Sequence, residues 1–416
     1  MGVRRNVIQP DSVKGFESWE SPETMPVAKS NLLHYVVATI FVGLMIELTA
    51  YLAIQFILFP REPAFFFRSP SVSAPEFDRY VTVRDSLLGW PAKKTDMNGT
   101  EVIESRPIPA YSSAENECVS LYGDSFTYGD EVEHAEAWSN VLSSRLNCRV
   151  GNYGIGGYGT DQAYLRFDKN VHDSAKVVIL GIFPENVLRN VNRYRYLLDA
   201  RTVFSLKPRF VLENDRLKLV EMPAWNREEF VLATQNLDKV FEHETFLPDS
   251  EYGPVSLSFP YTWKAVKLLL SERARSAMLG HTSWEVFYRD DHPTQALRIT
   301  SEIADLFMKT GQSRGKTALV LIYPTARSFK QFKETGTVIT RPLIENLERR
   351  RIPYLDLHEG FGARVEKQEF CDLLTQPATC AGHFNAKGNV MVSDIVYEYL
   401  VKSNVLEARS TGSSAS

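Results

Sequence analysis

From Leu32 to Phe59 the chain is almost continuously apolar, with Glu47 and Gln55 inside the run. A helix of that length crosses the roughly 30 Å of a bilayer core. Residues 1–30 ahead of it are polar, carry Pro10, Pro22 and Pro26, and show no period, which predicts a flexible tail. The tail and the apolar run are both too long for a cleaved signal peptide, and no small-x-small site follows. A retained membrane helix over 31–59 is therefore expected. Glu47 is costly at that depth if ionised, and is expected to be protonated or to face another helix. Residues 60–115 are rich in proline and read as a linker from membrane to domain. Within them Leu87-Leu88-Gly89-Trp90-Pro91 is the piece expected to dock.

Beyond Cys118, short apolar runs alternate with amphipathic stretches. Val119–Tyr122 predicts a buried strand. Residues 134–146 predict a helix with Trp138, Val141, Leu142 and Leu146 on one face. Strands are predicted at Arg149–Tyr153, Val177–Phe183, Ala318–Tyr323 and Tyr354–Leu357, with a helix from about Asp161. A last helix carries Met391, Val392, Ile395, Val396 and Leu400 on one side. Strands alternating with helices imply a parallel sheet covered on both faces, so 116–405 reads as one α/β domain. Residues 190–315 are too long for a loop. They read as an insertion holding a hairpin within Lys207–Leu219 and helices near Trp263–Ala274 and Gln295–Thr310. The insertion is expected to cap one rim of the sheet. The Ser-rich end, 406–416, reads as disordered.

Four stretches carry candidate chemistry. Gly123-Asp124-Ser125 turns out of the first strand into a helix, which exposes a hydroxyl at the carboxyl edge of the sheet and places a backbone N–H near a helix start. The spacing is not the Gly-x-Ser-x-Gly of the nucleophile elbow. Asn152-Tyr153-Gly154-Ile155-Gly156-Gly157 lets a backbone approach a ligand closely, but lacks the rest of a dinucleotide fingerprint. Gly181-Ile182-Phe183-Pro184-Glu185-Asn186 puts an amide just past a strand end, with Asn190 and Asn192 as alternatives. Gly382-His383-Phe384-Asn385 precedes the last helix and offers a general base. His292, in Asp290-Asp291-His292-Pro293, is the rival histidine, but it falls within the insertion.

In this order the stretches resemble blocks I, II, III and V of the SGNH/GDSL hydrolase superfamily. The resemblance implies a flavodoxin-like three-layer α/β/α sandwich with a parallel sheet, here with one N-terminal transmembrane helix added. It implies Ser125 as nucleophile and His383 as base. The N–H groups of Ser125 and Gly157 and the side chain of Asn186 would form the oxyanion hole, with no metal or cofactor. The superfamily carries an Asp three residues before its His; here Cys380 stands there. Asp372, Asp356, Glu359 or a backbone carbonyl then remain to orient the ring. The implied activity is that of a serine esterase or O-acyltransferase on acyl esters, acetyl foremost, of cell-envelope or exported polysaccharide. The alternative is a non-catalytic carbohydrate-binding or assembly factor that kept the cleft.

Composition narrows this little further. A formal charge of −4 over 416 residues gives no basic footprint for nucleic acid. Arg4, Arg5, Lys14 and Lys29 before the span balance Arg61, Arg68, Arg79 and Arg84 after it, so charge does not orient it. The four cysteines allow three pairings. Cys118 with Cys148 is preferred because they would begin neighbouring strands, and Cys371 with Cys380 because they are close in sequence. An even cysteine count beyond the span favours placing the domain outside the cytoplasm.

Overall fold

The computed structural model describes residues 28–403 apart from 92, 96, 97, 99, 100, 113–116, 280 and 281. Of the two expected tails, 1–27 and 404–416 lie outside the described residues; 28–30 are already helical. In chain order the main strands are β1 Glu117–Tyr122, β2 Arg149–Asn152, β3 Val177–Ile182, β4 Arg209–Glu213, β5 Arg216–Val220, β6 Thr317–Ile322, β7 Tyr354–Asp356, β8 Leu374–Gln376 and β9 Ala381–Phe384. The helices used below are α1 Ala28–Ala53, α2 Ser125–Tyr128, α3 Trp138–Leu146, α4 Thr160–Lys169, α5 Tyr261–Leu270, α6 Glu272–Met278, α7 Ala296–Ser313, α8 Ala326–Thr335, α9 Arg341–Arg349 and α10 Ala386–Lys402.

Five strands pair in the order β7-β6-β3-β1-β2, and every pair is parallel. This is the flavodoxin-like order, which places ligands outside the carboxyl ends of the strands. Alternation along each strand divides the core in two. Tyr122, Val178, Leu180, Val320 and Ile322 face one cluster with Phe167, Ile303, Phe307 and Leu347, contributed by α4, α7 and α9. Val119, Leu121, Ile179, Leu319 and Leu321 face the other with Leu142, Phe329, Val392 and Val396, contributed by α3, α8 and α10.

β1 ends at Tyr122 as expected, the other sheet strands end one residue short of the sequence reading, and the larger differences lie elsewhere. The helix expected at 134–146 begins at Trp138. The helix expected over Trp263–Ala274 is two, α5 and α6, separated at Ser271. The later part of the expected insertion is α7, which packs on α4 and β6. It is the crossover helix between β3 and β6 that a parallel pair requires, so the true insertion ends near 295. The hairpin β4–β5 turns at Asn214 and Asp215, both with positive φ (50° and 62°), the twist that tight hairpins favour.

Residues 60–115 are no free linker. Phe66, Phe67, Phe77, Tyr80, Leu88 and Ile108 are buried. Trp90 Nε1 donates to Gly156 O (3.0 Å) and Gln162 Nε2 donates to Leu88 O (2.7 Å). The segment is a strap across the domain, and its Leu87–Pro91 portion docks against the turn after β2. Helix α1 continues through an irregular turn to Arg61 and is apolar enough over Asn31–Arg61 to cross a membrane. Its residues 31–46 are exposed, whereas Ile54 is buried against Phe66, Val255, Leu268 and Ala274.

Candidate active site

Ser125 opens α2, a single helical turn directly after β1. The turn fits because the residues around it are glycine. A Cβ on Gly123 would lie 2.0 Å from Thr127 Oγ1, and one on Gly181 would lie 2.1 Å from the same atom. The ends of β1 and β3 therefore close directly onto Thr127. So short a helix leaves its carbonyls without intrahelical partners. Trp138 Nε1 donates to Thr127 O (3.0 Å), Asn152 Nδ2 to Thr127 O (2.8 Å), and Arg106 Nη1 to Tyr128 O (3.1 Å) and Gly129 O (2.8 Å). Arg106 also reaches Val132 O (2.7 Å). It comes from the strap, so the strap fixes the loop that follows the nucleophile.

Asp124 caps α2 through Phe126 N–H (3.0 Å). Its other oxygen, Oδ2, accepts from Asn186 Nδ2 (3.0 Å) and Arg189 Nη1 (3.0 Å), and both donors also reach Tyr158 O (3.1 and 3.0 Å). Both N–H groups of Asn186 are thus engaged, and its Oδ1 accepts from Phe183 N–H (2.8 Å). The expectation that Asn186 presents a free donor to an oxyanion is corrected: its amide ties the first block to the second. Asn190 bonds Asp161 N–H and Thr300, and Asn192 bonds Tyr194 O and Glu244, so neither is available. Burial works against the Arg189 charge. The carboxylates of Glu185 and Asp124 more than offset it and hold the guanidinium above its ordinary pKa.

Gly157 lies in the turn after β2 with φ +80°, a conformation that suits glycine. Among the described residues neither its N–H nor that of Ser125 is donated to a protein acceptor. The Arg195 guanidinium packs over Gly157, its Nε 3.1 Å from where a Cβ would stand. Burial, and then Arg189 nearby, lowers its pKa to about 10. Glu185 is held below its ordinary pKa: burial opposes this, and Arg189, Arg195 and Arg273 outweigh it.

His383 sits on β9, which pairs antiparallel with β8. Its ring lies over Phe126, the residue after Ser125, with centroids 4.9 Å apart. His383 Nδ1 is 3.1 Å from Glu131 Oε1, off the line of a good hydrogen bond. Glu131 Oε2 accepts from Thr375 Oγ1, which in turn accepts His383 N–H (3.2 Å). The Thr375 hydrogen bond is the main influence lowering the Glu131 pKa, with His383 adding to it. Glu131 has φ +67°, a rare backbone for a glutamate. Among the described residues no protein group bonds Ser125 Oγ or His383 Nε2, so the two are brought to neighbouring elements without a hydrogen bond between them.

The acids proposed from sequence are placed otherwise. Asp356 Oδ1 faces His358 Nδ1 (2.5 Å), and His358 Nε2 meets Ser328 Oγ (2.8 Å), with His358 and Ser328 fully buried and Asp356 partly so. Asp372 is exposed and contributes only its carbonyl, to Asn385. The carboxylate beside His383 is Glu131, in the loop six positions after Ser125, and the sequence reading missed it. Its signal was present: Gly129-Asp130-Glu131 follows the first block directly. The rival His292 bonds Thr294 Oγ1 (2.7 Å) and packs against Phe287 and Tyr252 in the insertion. Cysteines 118 and 148 are bonded, with Cα atoms 6.0 Å apart, as are 371 and 380, at 4.7 Å. The second bridge ties Cys380, in the turn between β8 and β9, to Cys371 just before β8, and so braces the hairpin that carries His383.

A cavity of about 210 Å³ is walled by Phe126, Phe183, Leu374, Cys380 and Gly382. It shares Glu185, Thr282 and Trp284 with a neighbour of about 340 Å³ that reaches Arg273 and Tyr252. The insertion thus supplies one wall of a cleft leading to the carboxyl edge.

No protein-family model matches the chain, and no curated protein matches it. Solved structures do. A member of the lipolytic protein G-D-S-L family from Veillonella parvula is similar at 8% identity and a TM-score of 0.35, covering 68% of this chain and 98% of that one. The acetyl xylan esterase AlAXEase gives 12%, 0.33, and the same two coverages, 68% and 98%. A mutant form of Axe2, an acetyl-xylooligosaccharide esterase from Geobacillus Stearmophilus, gives 10%, 0.31, 69% and 94%. The first of these names is that of the G-D-S-L family, whose first block the Gly123-Asp124-Ser125 stretch resembles. At such identities and scores the likeness adds no weight to an activity or a substrate.

Proposed function

We propose that this chain is a membrane-anchored SGNH-type serine esterase or O-acyltransferase. The observation that carries the reading is the meeting of two distant stretches: His383 lies over Phe126, beside Ser125, with a carboxylate at Nδ1. With Nδ1 turned to Glu131, Nε2 is the nitrogen left for the Ser125 proton. Oγ attacks the acyl carbon, and the proton passes to Nε2. The negative oxygen is received by the undonated N–H groups of Ser125 and Gly157, with Arg195 adding positive charge nearby. His383 then returns its proton to the leaving alkoxide, which leaves an acyl group on Ser125. Water or a sugar hydroxyl takes that acyl group in the second half. The cavity beside Phe126 suits a short acyl chain such as acetyl, and the longer cleft suits an extended carrier such as a polysaccharide. Helix α1 is the anchor, and the two disulfides favour a domain outside the cytoplasm.

Two observations favour a second reading, a carbohydrate-binding factor without turnover. Ser125 Oγ and His383 are not hydrogen-bonded, and Cys380 replaces the usual acid. One experiment separates the two. A fluorophosphonate probe should label the purified chain at Ser125, and Ser125→Ala should lower hydrolysis of an acetyl ester by about 10⁴-fold or more. Absence of labelling together with unchanged carbohydrate binding by Ser125→Ala leaves the binding factor standing. Topology is checked separately by a reporter at the C-terminus, expected on the exported side.

A further inference from the structure

The insertion carries a helix with its polarity reversed. On α5 the two lysines turn inward: Lys264 bonds Asp249 Oδ2 (2.6 Å) and Ser256 Oγ (2.7 Å), and Lys267 bonds Asp249 O (3.3 Å). Trp263, Val266, Leu269 and Leu270 turn outward, 38–62% exposed. Phe259 before the helix (74%), and Met278 and Leu279 after α6 (65% and 73%), extend the same apolar surface. A helix facing water has the opposite arrangement. Elsewhere on the described domain the exposed large apolar residues are scattered: Val81, Val83, Val171, Leu232, Val390 and Val401. An apolar surface this concentrated marks a contact.

The position of the helix identifies what it contacts. Glu47 of α1 caps the start of α5: its carboxylate accepts Tyr261 N–H, Thr262 N–H (2.9 Å) and Thr262 Oγ1 (2.6 Å). Tyr51 packs on Tyr261 with rings 4.9 Å apart, and Ile54 meets Leu268 in one buried cluster. So α5 runs alongside the second half of α1, and its outward face continues the exposed apolar face of the anchor at Leu52, Phe56 and Ile57. Residues 31–61 make about 46 Å of helix at about 1.5 Å per residue, more than the roughly 30 Å a bilayer core needs. Measured from Asn31, Glu47 stands about 24 Å along, roughly one helical turn short of the far edge of that core. This is the depth at which interfacial helices lie.

We propose that α5, with the residues flanking it from Phe259 to Leu279, is a second membrane element, sunk beside α1 into the leaflet on the domain side. The proposal rests on the reading of α1 as a membrane span. It gives Glu47 a role: the carboxylate joins the anchor to the wedge, where the helix start and three donors compensate its charge. It also sets the cleft at a fixed height over the lipid, because Arg273 of α6 lines that cleft.

Nitroxide spin labels test this on the full chain in liposomes. The four native cysteines are all in disulfides, so single introduced thiols label selectively. Labels at Trp263→Cys, Leu270→Cys, Ile40→Cys and Val171→Cys are compared for collision with oxygen, which partitions into lipid, and with a water-soluble nickel chelate. The expected result is oxygen-dominated relaxation at 40, 263 and 270, and nickel-dominated relaxation at 171. Nickel-dominated relaxation at 263 and 270 with oxygen-dominated relaxation at 40 overturns the wedge and leaves the anchor. Nickel-dominated relaxation at 40 as well overturns the anchor itself. Shielding of 263 and 270 from both relaxants, with spin–spin broadening, means that a second copy covers the face, and this too overturns the proposal.

Discussion

The two halves of the candidate site are held very differently. The Ser125 half is fixed from several directions. Thr127 fills the space left by two glycines, and side chains from the strap, α3 and β2 take the carbonyls of the turn. Asp124 is locked by Asn186 and Arg189. The His383 half is a two-stranded hairpin with a disulfide from its turn to the residues before β8, a Thr–Glu contact from mid-strand, and Phe384 and Asn385 holding the end of β9, so fewer groups from the rest of the fold fix it. A nucleophile that must stand beside two backbone donors needs a rigid frame. A base that must first take a proton and then return it tolerates more freedom. The contrast also accounts for the missing Ser–His hydrogen bond, since such bonds often tighten only when substrate arrives.

The comparison breaks most severely at Arg189. Its guanidinium and the Asp124 carboxylate are nearly inaccessible, at 8% and 1% of side-chain surface. Arg189→Met leaves the buried Asp124 carboxylate with the Phe126 N–H and the Asn186 amide but no positive partner. Loss of one partner from such a pair costs about 3–5 kcal/mol. Denaturant titration of the solubilised chain should show that loss, and acetyl-ester hydrolysis should fall with it because the frame of Ser125 is disturbed.

On the other half, Cys371→Ser combined with Cys380→Ser removes a bridge of sequence separation 9. Loop-closure entropy puts its worth at about 2–3 kcal/mol. The informative readout is the split between two assays. Fluorophosphonate labelling of Ser125 should fall along with turnover, since both need His383 in place, while tryptophan fluorescence of the domain stays native. Turnover unchanged after loss of the bridge would mean that the hairpin is as rigid as the elbow.

How far all this was legible in the sequence follows the same division. The first two blocks, and the strands that carry them, were readable because glycines and a buried strand leave a local signature. Of the cysteine pairs, Cys118–Cys148 followed from the neighbouring strands they begin and Cys371–Cys380 from their closeness in sequence. The orienting acid was not readable by counting back from the histidine, because the hairpin folds His383 onto the loop after Ser125 and not onto Asp372 or Asp356. Asn186 was found, but not its role: nothing local shows that Arg189, one turn along, recruits it to Asp124. Arg106 was missed altogether. A proline-rich stretch reads as linker until its single buried arginine is seen against the carbonyls of α2. The reversed helix α5 was read only as helical, because which face is solvent is a tertiary fact.

Glu131→Gln sharpens the comparison at a smaller scale. The amide oxygen still accepts from Thr375, but an NH2 group then faces His383 Nδ1, so the variant removes both the Glu131 charge and the acceptor at that nitrogen, while Asp130 keeps its own interaction with the ring. Loss of an orienting Asp in a buried triad costs about 10⁴ in rate. Glu131 is 43% exposed and its field is screened, so a fall in kcat of roughly 10- to 100-fold is expected, with KM unchanged. A loss as large as that of Ser125→Ala would make Glu131 an equal member of a triad.

The smallest effect is the acid response of the same residue, and its sign follows from the hydrogen bonds. The Glu131 carboxyl lies below its ordinary 4.5, first because of Thr375 and then because of His383. A carboxyl lowered on folding contributes stability that is fully present above the unfolded pKa and is lost as pH falls through the folded one. Above the unfolded value the Glu131 carboxylate is ionised in both states and contributes fully to the lead in melting temperature of the native chain over Glu131→Gln. Below about pH 4.5 that lead should shrink, because the protonated acid and the amide become nearly alike. Arg189 keeps its charge over this whole range, since its pKa is raised above the ordinary guanidinium value, so titration of that guanidinium does not weaken the nucleophile side. A lead that widens as pH falls below about 4.5 would mean that Glu131 is raised by its surroundings, and that the Thr375 and His383 contacts do not hold it as a carboxylate.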